Sequence, residues 1–225
     1  MLLVTVLCFI LASWLGSAVP AAATPPQRPV PEAWKEIWRI FDVDPALAES
    51  VVWPEMQQYS YMRDLLETGA DSITSGARSG RMDFSIGVFQ MKPSFVEKLE
   101  TAWRLSGLAD YYNLPFDAGD DASVRQSRIE RMSVAEWQVI YLGMFLRLLK
   151  FSYRLDSLPP EEQVRLSANA YNHGCAWPAE GCGDVESLRV NMDARQFPRV
   201  IIHSRNAQKY SYSVLAWEHY QSIAD

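Results

Sequence analysis

The chain has 225 residues, of which 48% are hydrophobic, 12% aromatic and 21% charged, with 11 glycines and 13 prolines. These are the proportions of a globular protein with a core of its own, and they exclude a disordered, collagen-like or coiled-coil chain. A formal net charge of −6 sets the field against nucleic acid and anionic lipid, so no nucleic-acid partner is expected.

Residues Met1 to Ala23 carry no charged side chain, and Leu2 to Leu15 are apolar apart from Thr5 and Ser13. Small residues follow, at Gly16 to Ala18 and Ala21 to Ala23, ahead of a Pro-rich stretch over 24–31. This is the form of a secretory signal, too short for an ordinary membrane span. No Lys or Arg precedes the apolar run, which leaves an uncleaved anchor over residues 2–19 as the alternative. Export implies a periplasmic or extracellular protein, with residues 32–225 as one domain and a monomer as the default.

Within that domain, periodicity predicts helices almost throughout. Trp34, Ile37, Trp38 and Phe41 form an i, i+3, i+4, i+7 stripe over 31–41. Asp44-Pro45 reads as N-cap and first residue of a short helix that Pro54 should stop at Trp53. Residues 57–68 read as helical, 69–83 as an exposed Gly-containing loop, and 84–91 as extended or turn-like around Gly87. Ser94 with Glu97, and Ser133 with Glu136, have the capping-box spacing, each opening a helix. The second helix, over 134–155, directs Trp137, Ile140, Tyr141, Met144, Leu148 and Phe151 inward and is apolar enough to be the central one. Helices over 160–172, ended by Gly174, and over 204–223 complete a mainly α architecture with little or no sheet.

Cys8 reads as a small apolar residue of the signal. Cys175 and Cys182 lie seven positions apart in a loop containing Gly174, Pro178, Gly181 and Gly183. In an oxidising compartment they should pair, and their spacing, with His173, His203 and His219 scattered, fits no common zinc pattern. No metal or cofactor is expected. Of the eight tryptophans only Trp177 looks borne by a loop.

Glu49 has Pro45, Ala46, Val52 and Trp53 as its i±3 and i±4 neighbours on a helix, so it sits on an apolar face without a local cation. Apolar surroundings disfavour a charged carboxylate, which is how an acid catalyst in a cleft holds its proton near neutral pH. The plain alternative is a Glu that reaches solvent or pairs with a distant Arg.

Three segments add to this. Ala48-Glu49-Ser50, then Ser85 to Phe95 with Gly87, Gln90 and Pro93, then Ala168 to Gly174 with Tyr171 and Asn172 resemble, in order, the signature segments of the soluble lytic transglycosylase family. Goose-type lysozymes are similar to that family. The resemblance spans about 44–174 and implies a lysozyme-like helical domain acting on the glycan strands of peptidoglycan.

It further implies Glu49 as catalytic acid and then base, with Ser50, Gly87, Gln90, Tyr171 and Asn172 at the sugar. Gly87 would let backbone approach the glycan, and Gln90 would bond a hydroxyl or N-acetyl group. As plain structural alternatives, Gln90 bonds backbone in a buried turn and Asn172 caps a helix. In this family one carboxyl serves twice and the product is a 1,6-anhydromuramoyl end; the alternatives are a hydrolytic muramidase and a non-catalytic peptidoglycan-binding protein. Asp71 and Asp83 are the candidates for a second acid.

Two features depart from the family pattern. Glu49 and Gln90 are 41 positions apart, implying an insertion over 51–84, and Val88-Phe89 stands where Leu-Met is common.

Overall fold

The computed structural model describes residues 30–67, 83, 85–114, 116, 121–177, 182–198 and 209–224. Met1–Val30 and Pro31–Asp225 separate as two units. The signal segment 1–23 and Asp71 lie outside the described residues.

The apolar stripe at the start of the second unit folds as α1 (Glu32–Ile40), with Trp38 and the following Phe41 buried. Asp44 caps α2 as its sequence position suggests, its carboxylate accepting the Ala46 N–H at 3.0 Å. Pro54 does not stop this helix, which runs through it over Pro45–Glu67. A proline inside a helix removes the N–H that the Ser50 carbonyl would receive. One residue on, the Val51 carbonyl takes a hydroxyl donated by Tyr212 at 2.9 Å, which ties this stretch of the helix to a residue far along the chain.

The capping-box serines mark helix starts without capping them. α3 (Pro93–Leu105) begins with Pro93 after Lys92, and Asp83 from the preceding segment accepts from the Ser94 N–H at 2.9 Å and from its hydroxyl. After α4 (Leu108–Tyr112) and α5 (Ala122–Met132), α6 (Ala135–Tyr153) starts at Val134 with no side-chain cap, while Ser133 bonds back to the Ile129 carbonyl.

α6 is the central helix. Its residues from Tyr141 to Leu146 are all buried, and Gly143 takes the Phe41 ring, which an added Cβ would meet at 2.5 Å. Phe151, expected inward, is exposed because burial moves round the helix to Leu149, Ser152 and Tyr153. A buried Glu100 joins α3, α5 and α6, accepting from Arg128 at 2.9 Å, Arg131 at 3.0 Å and the Tyr141 hydroxyl at 2.6 Å. Both carboxylate oxygens are thereby satisfied, which is what makes a buried charge tolerable.

A short 3-10 turn (Leu155–Ser157) leads to α7 (Pro160–His173), which ends at Gly174 with φ +82. α8 (Val185–Arg189), a two-stranded antiparallel ribbon of β1 (Arg195–Pro198) and β2 (Lys209–Ser211), and α9 (Tyr212–Ile223) close the chain. Of the single helix expected over 204–223, residues 204–208 lie outside the described residues, Lys209–Ser211 form β2 and the helix begins only at Tyr212. α9 packs on both α2 and α7, and α1 packs on α6. No single described helix is long and apolar enough to cross a membrane.

Candidate active site

A cavity of about 830 Å³ opens between α2, the segment before α3, α3 itself and the C-terminal end of α7. One wall is α2, where Glu55, Gln58 and Tyr59 repeat at i, i+3 and i+4 and so face the same way. The floor is the turn from Ser85 to Met91. The far wall is Tyr171, Asn172, His173 and Gly174, with Cys175 and Trp177 beyond.

The turn is built with care. Ile86 and Met91 form a β-bridge, closed by Ile86 N to Met91 O at 2.8 Å and the return bond at 3.1 Å. Gly87 has φ +71 and Gln90 φ +53, both left-handed. Gln90 stabilises its own geometry by donating its side-chain amide to the Gly87 carbonyl at 2.7 Å. Gln138 on α6 pins the turn from behind: its carbonyl accepts the Phe89 N–H at 2.8 Å and its amide donates to Met132 O at 2.6 Å. A Cβ on Gly87 would fall 1.4 Å from that amide nitrogen. Glycine at 87 is thus required by Gln138 as well as by φ, rather than by a glycan alone.

Tyr171 holds the same turn from the cavity side, donating its hydroxyl to the Phe89 carbonyl at 2.7 Å. Its ring lies edge-on to Phe95 at 5.5 Å and to Phe145 at 5.7 Å. Burial, and secondly the charge of Glu55, push the phenol well above its ordinary pKa, so it stays a neutral donor. Asn172 lines the cavity beside it, as does Gln90.

The Glu-Ser pair does not join them. Ser50 is fully buried and bonds back to the Ala46 carbonyl at 2.7 Å. Glu49 is buried and does not line the cavity; it faces α9, where it meets His219 Nε2 at 3.2 Å. His219 in turn stacks on Trp53, with ring centroids 3.9 Å apart and planes 4° from parallel. The apolar face that makes Glu49 look like a cleft acid is the packing face of α2, with Ala48, Val51 and Val52 inaccessible to solvent.

The cavity's carboxylate is Glu55, which the sequence reading passed over. It is the one carboxylate among the described residues lining the cavity. Burial raises its pKa to about 7, with the Lys92 ammonium pulling the other way. Two signals for it stand in the sequence: its i+3 and i+4 partners Gln58 and Tyr59 are cavity types, and it lies six positions nearer Gln90 than Glu49 does.

Asp83 spends its carboxylate capping α3 and is not a second acid at the cavity. Cys175 and Cys182, expected to pair, are free thiols. Their loop is instead fastened to α6 by Gly183 N to Ser152 O at 2.7 Å and by the Tyr153 hydroxyl on the Ala176 carbonyl. Burial pushes the Cys175 thiol up to about 12, so a reactive thiolate is suppressed. Among the described residues no cluster of His, Cys, Asp and Glu is placed to hold a metal ion. Neither a family model, nor a curated protein, nor a solved structure matches the chain.

Proposed function

We propose that this chain is an exported peptidoglycan lytic transglycosylase on a lysozyme-like helical domain, with Glu55 in the role that the sequence resemblance gives to Glu49. The observation that carries the reading is a single half-buried carboxyl, with pKa raised to about 7, in a cavity shared with Gln90, Tyr171 and Asn172. A carboxyl protonated near neutral pH is suited to general acid catalysis.

In this reading the protonated Glu55 gives its proton to the oxygen linking MurNAc C1 to GlcNAc. The C1–O bond breaks, its electron pair stays with the leaving oxygen, and positive charge develops at C1. The Glu55 carboxylate then removes the proton of the same MurNAc's 6-hydroxyl, whose oxygen bonds to C1. The acid is restored, no water is consumed and the product carries a 1,6-anhydro end. Hydrolases of two-carboxylate type need a second group to handle water, whereas this route needs one. Tyr171 and Gln138 contribute indirectly, by fixing the turn that carries Gln90.

Mass spectrometry of muropeptides released from purified sacculi tests the proposal. Anhydro ends from the wild type, absent with Glu55→Gln, are the expected result. Reducing ends would make the protein a muramidase, and no product from folded wild type would leave a binding protein.

A further inference from the structure

Charge inside the cavity runs opposite to charge on the chain. The whole protein has 27 acidic and 21 basic residues. The cavity's described lining has one carboxylate, Glu55, and two lysines, Lys92 and Lys98. Lys92, Phe95 and Lys98 repeat at i, i+3 and i+6 from the start of α3, which sets them on one side of the helix with the aromatic ring between the two cations. Of the other three lysines, Lys35 pairs with Glu32 and Lys150 with Asp42 and Asp156, while Lys209, exposed on β2, does not line the cavity. Lys92 and Lys98 are exposed and have no ion-pair partner among the described residues. The α3 N-terminus itself is already capped by Asp83, so the two ammonium groups are the free positive charge of this wall.

We propose that Lys92 and Lys98 form an anion-binding wall that selects glycan bearing carboxylates close to the bond being cleaved. This rests on the glycan-cleaving reading above and adds to it a specificity element. Two carboxylate sources share the chemistry and exclude one another on a given sugar: the free lactyl carboxylate of a muramic acid without its stem, and the carboxylates of a stem peptide amide-linked at that lactyl group; either lies on the sugar that reacts. Lysine suits such a site because an ammonium on a flexible stem pairs with a carboxylate without fixed geometry. Lys92 has a second effect, since its charge also acts on Glu55. Its replacement should therefore move the acid's pKa upward, while replacement of Lys98 should affect only the anion.

Binding to full-length Glu55→Gln protein, titrated calorimetrically, separates the terms. Three probes are used: a stem-free MurNAc-GlcNAc oligomer with free lactyl carboxylates, the same oligomer as its methyl ester, and the oligomer with stem peptides. The carboxylate forms should bind more tightly than the ester, and Lys98→Gln should weaken them about threefold, as for an exposed ion pair. Lys92→Gln with Lys98→Gln should cost about tenfold, shrinking as salt rises, with the ester unaffected. A preference confined to the free-lactyl probe identifies that group as the ligand, and one confined to the stem-bearing probe identifies the peptide.

Equal loss on acid and ester, or no loss on either, overturns the proposal. Failure of the underlying reading is distinct: then the protein with Glu55 intact yields no muropeptides and no probe binds, which overturns both. With Glu55 restored, Lys92→Gln should also move the acid's pH profile upward and Lys98→Gln should not, a readout that loss of packing does not mimic.

Discussion

Glu49 and Glu55 share one helix and have different surroundings. Six residues at about 100° each place them about 120° apart around α2, so one faces α9 and the other the cavity. For Glu55 two outcomes follow from burial. Activity that needs its proton should fall as pH rises through about 7, the value to which burial raises it, and a kcat/KM profile reads this directly. Stability should respond as well. With the folded pKa near 7 and the ordinary value at 4.5, the folded state holds a proton that the unfolded chain has lost, so stability decreases as pH rises between them. Glu55→Gln removes that penalty and should stabilise the protein at pH 8 by about 1 to 3 kcal/mol relative to wild type, with a smaller difference at pH 4, as thermal denaturation at the two pH values will show.

At the scale of elements, the turn from Ile86 to Met91 connects packing to the cavity. Its main chain is held by Gln138 from the core and by Tyr171 from the opposite wall, and Gly87 is the point where those demands meet. Gly87→Ala should cost more than about 2 kcal/mol, combining left-handed strain with overlap on the Gln138 amide. Urea denaturation checks the cost, and a fall in glycan affinity at temperatures where the variant is still folded checks the link to Gln90.

Much of the turn was legible in the sequence. Gly87, Gln90, Tyr171 and Asn172 all reach the cavity, and Trp177 lines it from a loop. The alternative that Gln90 bonds backbone also describes what it does, through Gly87 O. Gln138 could not be found this way, because its two partners, Phe89 and Met132, are set by how α6 lies against the turn. That Glu49 lies off the cavity was hidden for a related reason. An apolar helical neighbourhood describes a core face and a cleft equally well, and only the position of α9 separates them. Pro54 misled on the helix end because what holds α2 comes from far along the chain: α9 packs on it, and Tyr212 bonds the Val51 carbonyl from 161 positions away.

For the molecule as a whole, the contact between α2 and α9 joins the two ends of the described fold, with Glu49 and His219 separated by 170 positions. Removing one member of a buried polar pair strands the other. His219→Ala should therefore lower stability by about 2 to 4 kcal/mol, counting also the lost stacking on Trp53. Its effect on kcat should be small once the protein is folded, because neither residue lines the cavity. Mostly helical architecture, the central position of α6 and the end of α7 at Gly174 follow from periodicity and punctuation. The ribbon of β1 and β2 does not, because its three- and four-residue strands are too short to carry an alternating signature.

Glu49→Gln and Glu55→Gln, compared on sacculi with each variant's folding verified, test the central claim most directly. Loss of at least about a hundredfold in anhydro-muropeptide release is predicted for Glu55→Gln, the ordinary contribution of a general acid. Glu49→Gln should keep kcat within about threefold of wild type, less than 1 kcal/mol of transition-state stabilisation. The reverse pattern, with Glu55→Gln active and a folded Glu49→Gln inactive, would contradict the assignment of the cavity carboxyl as the acid.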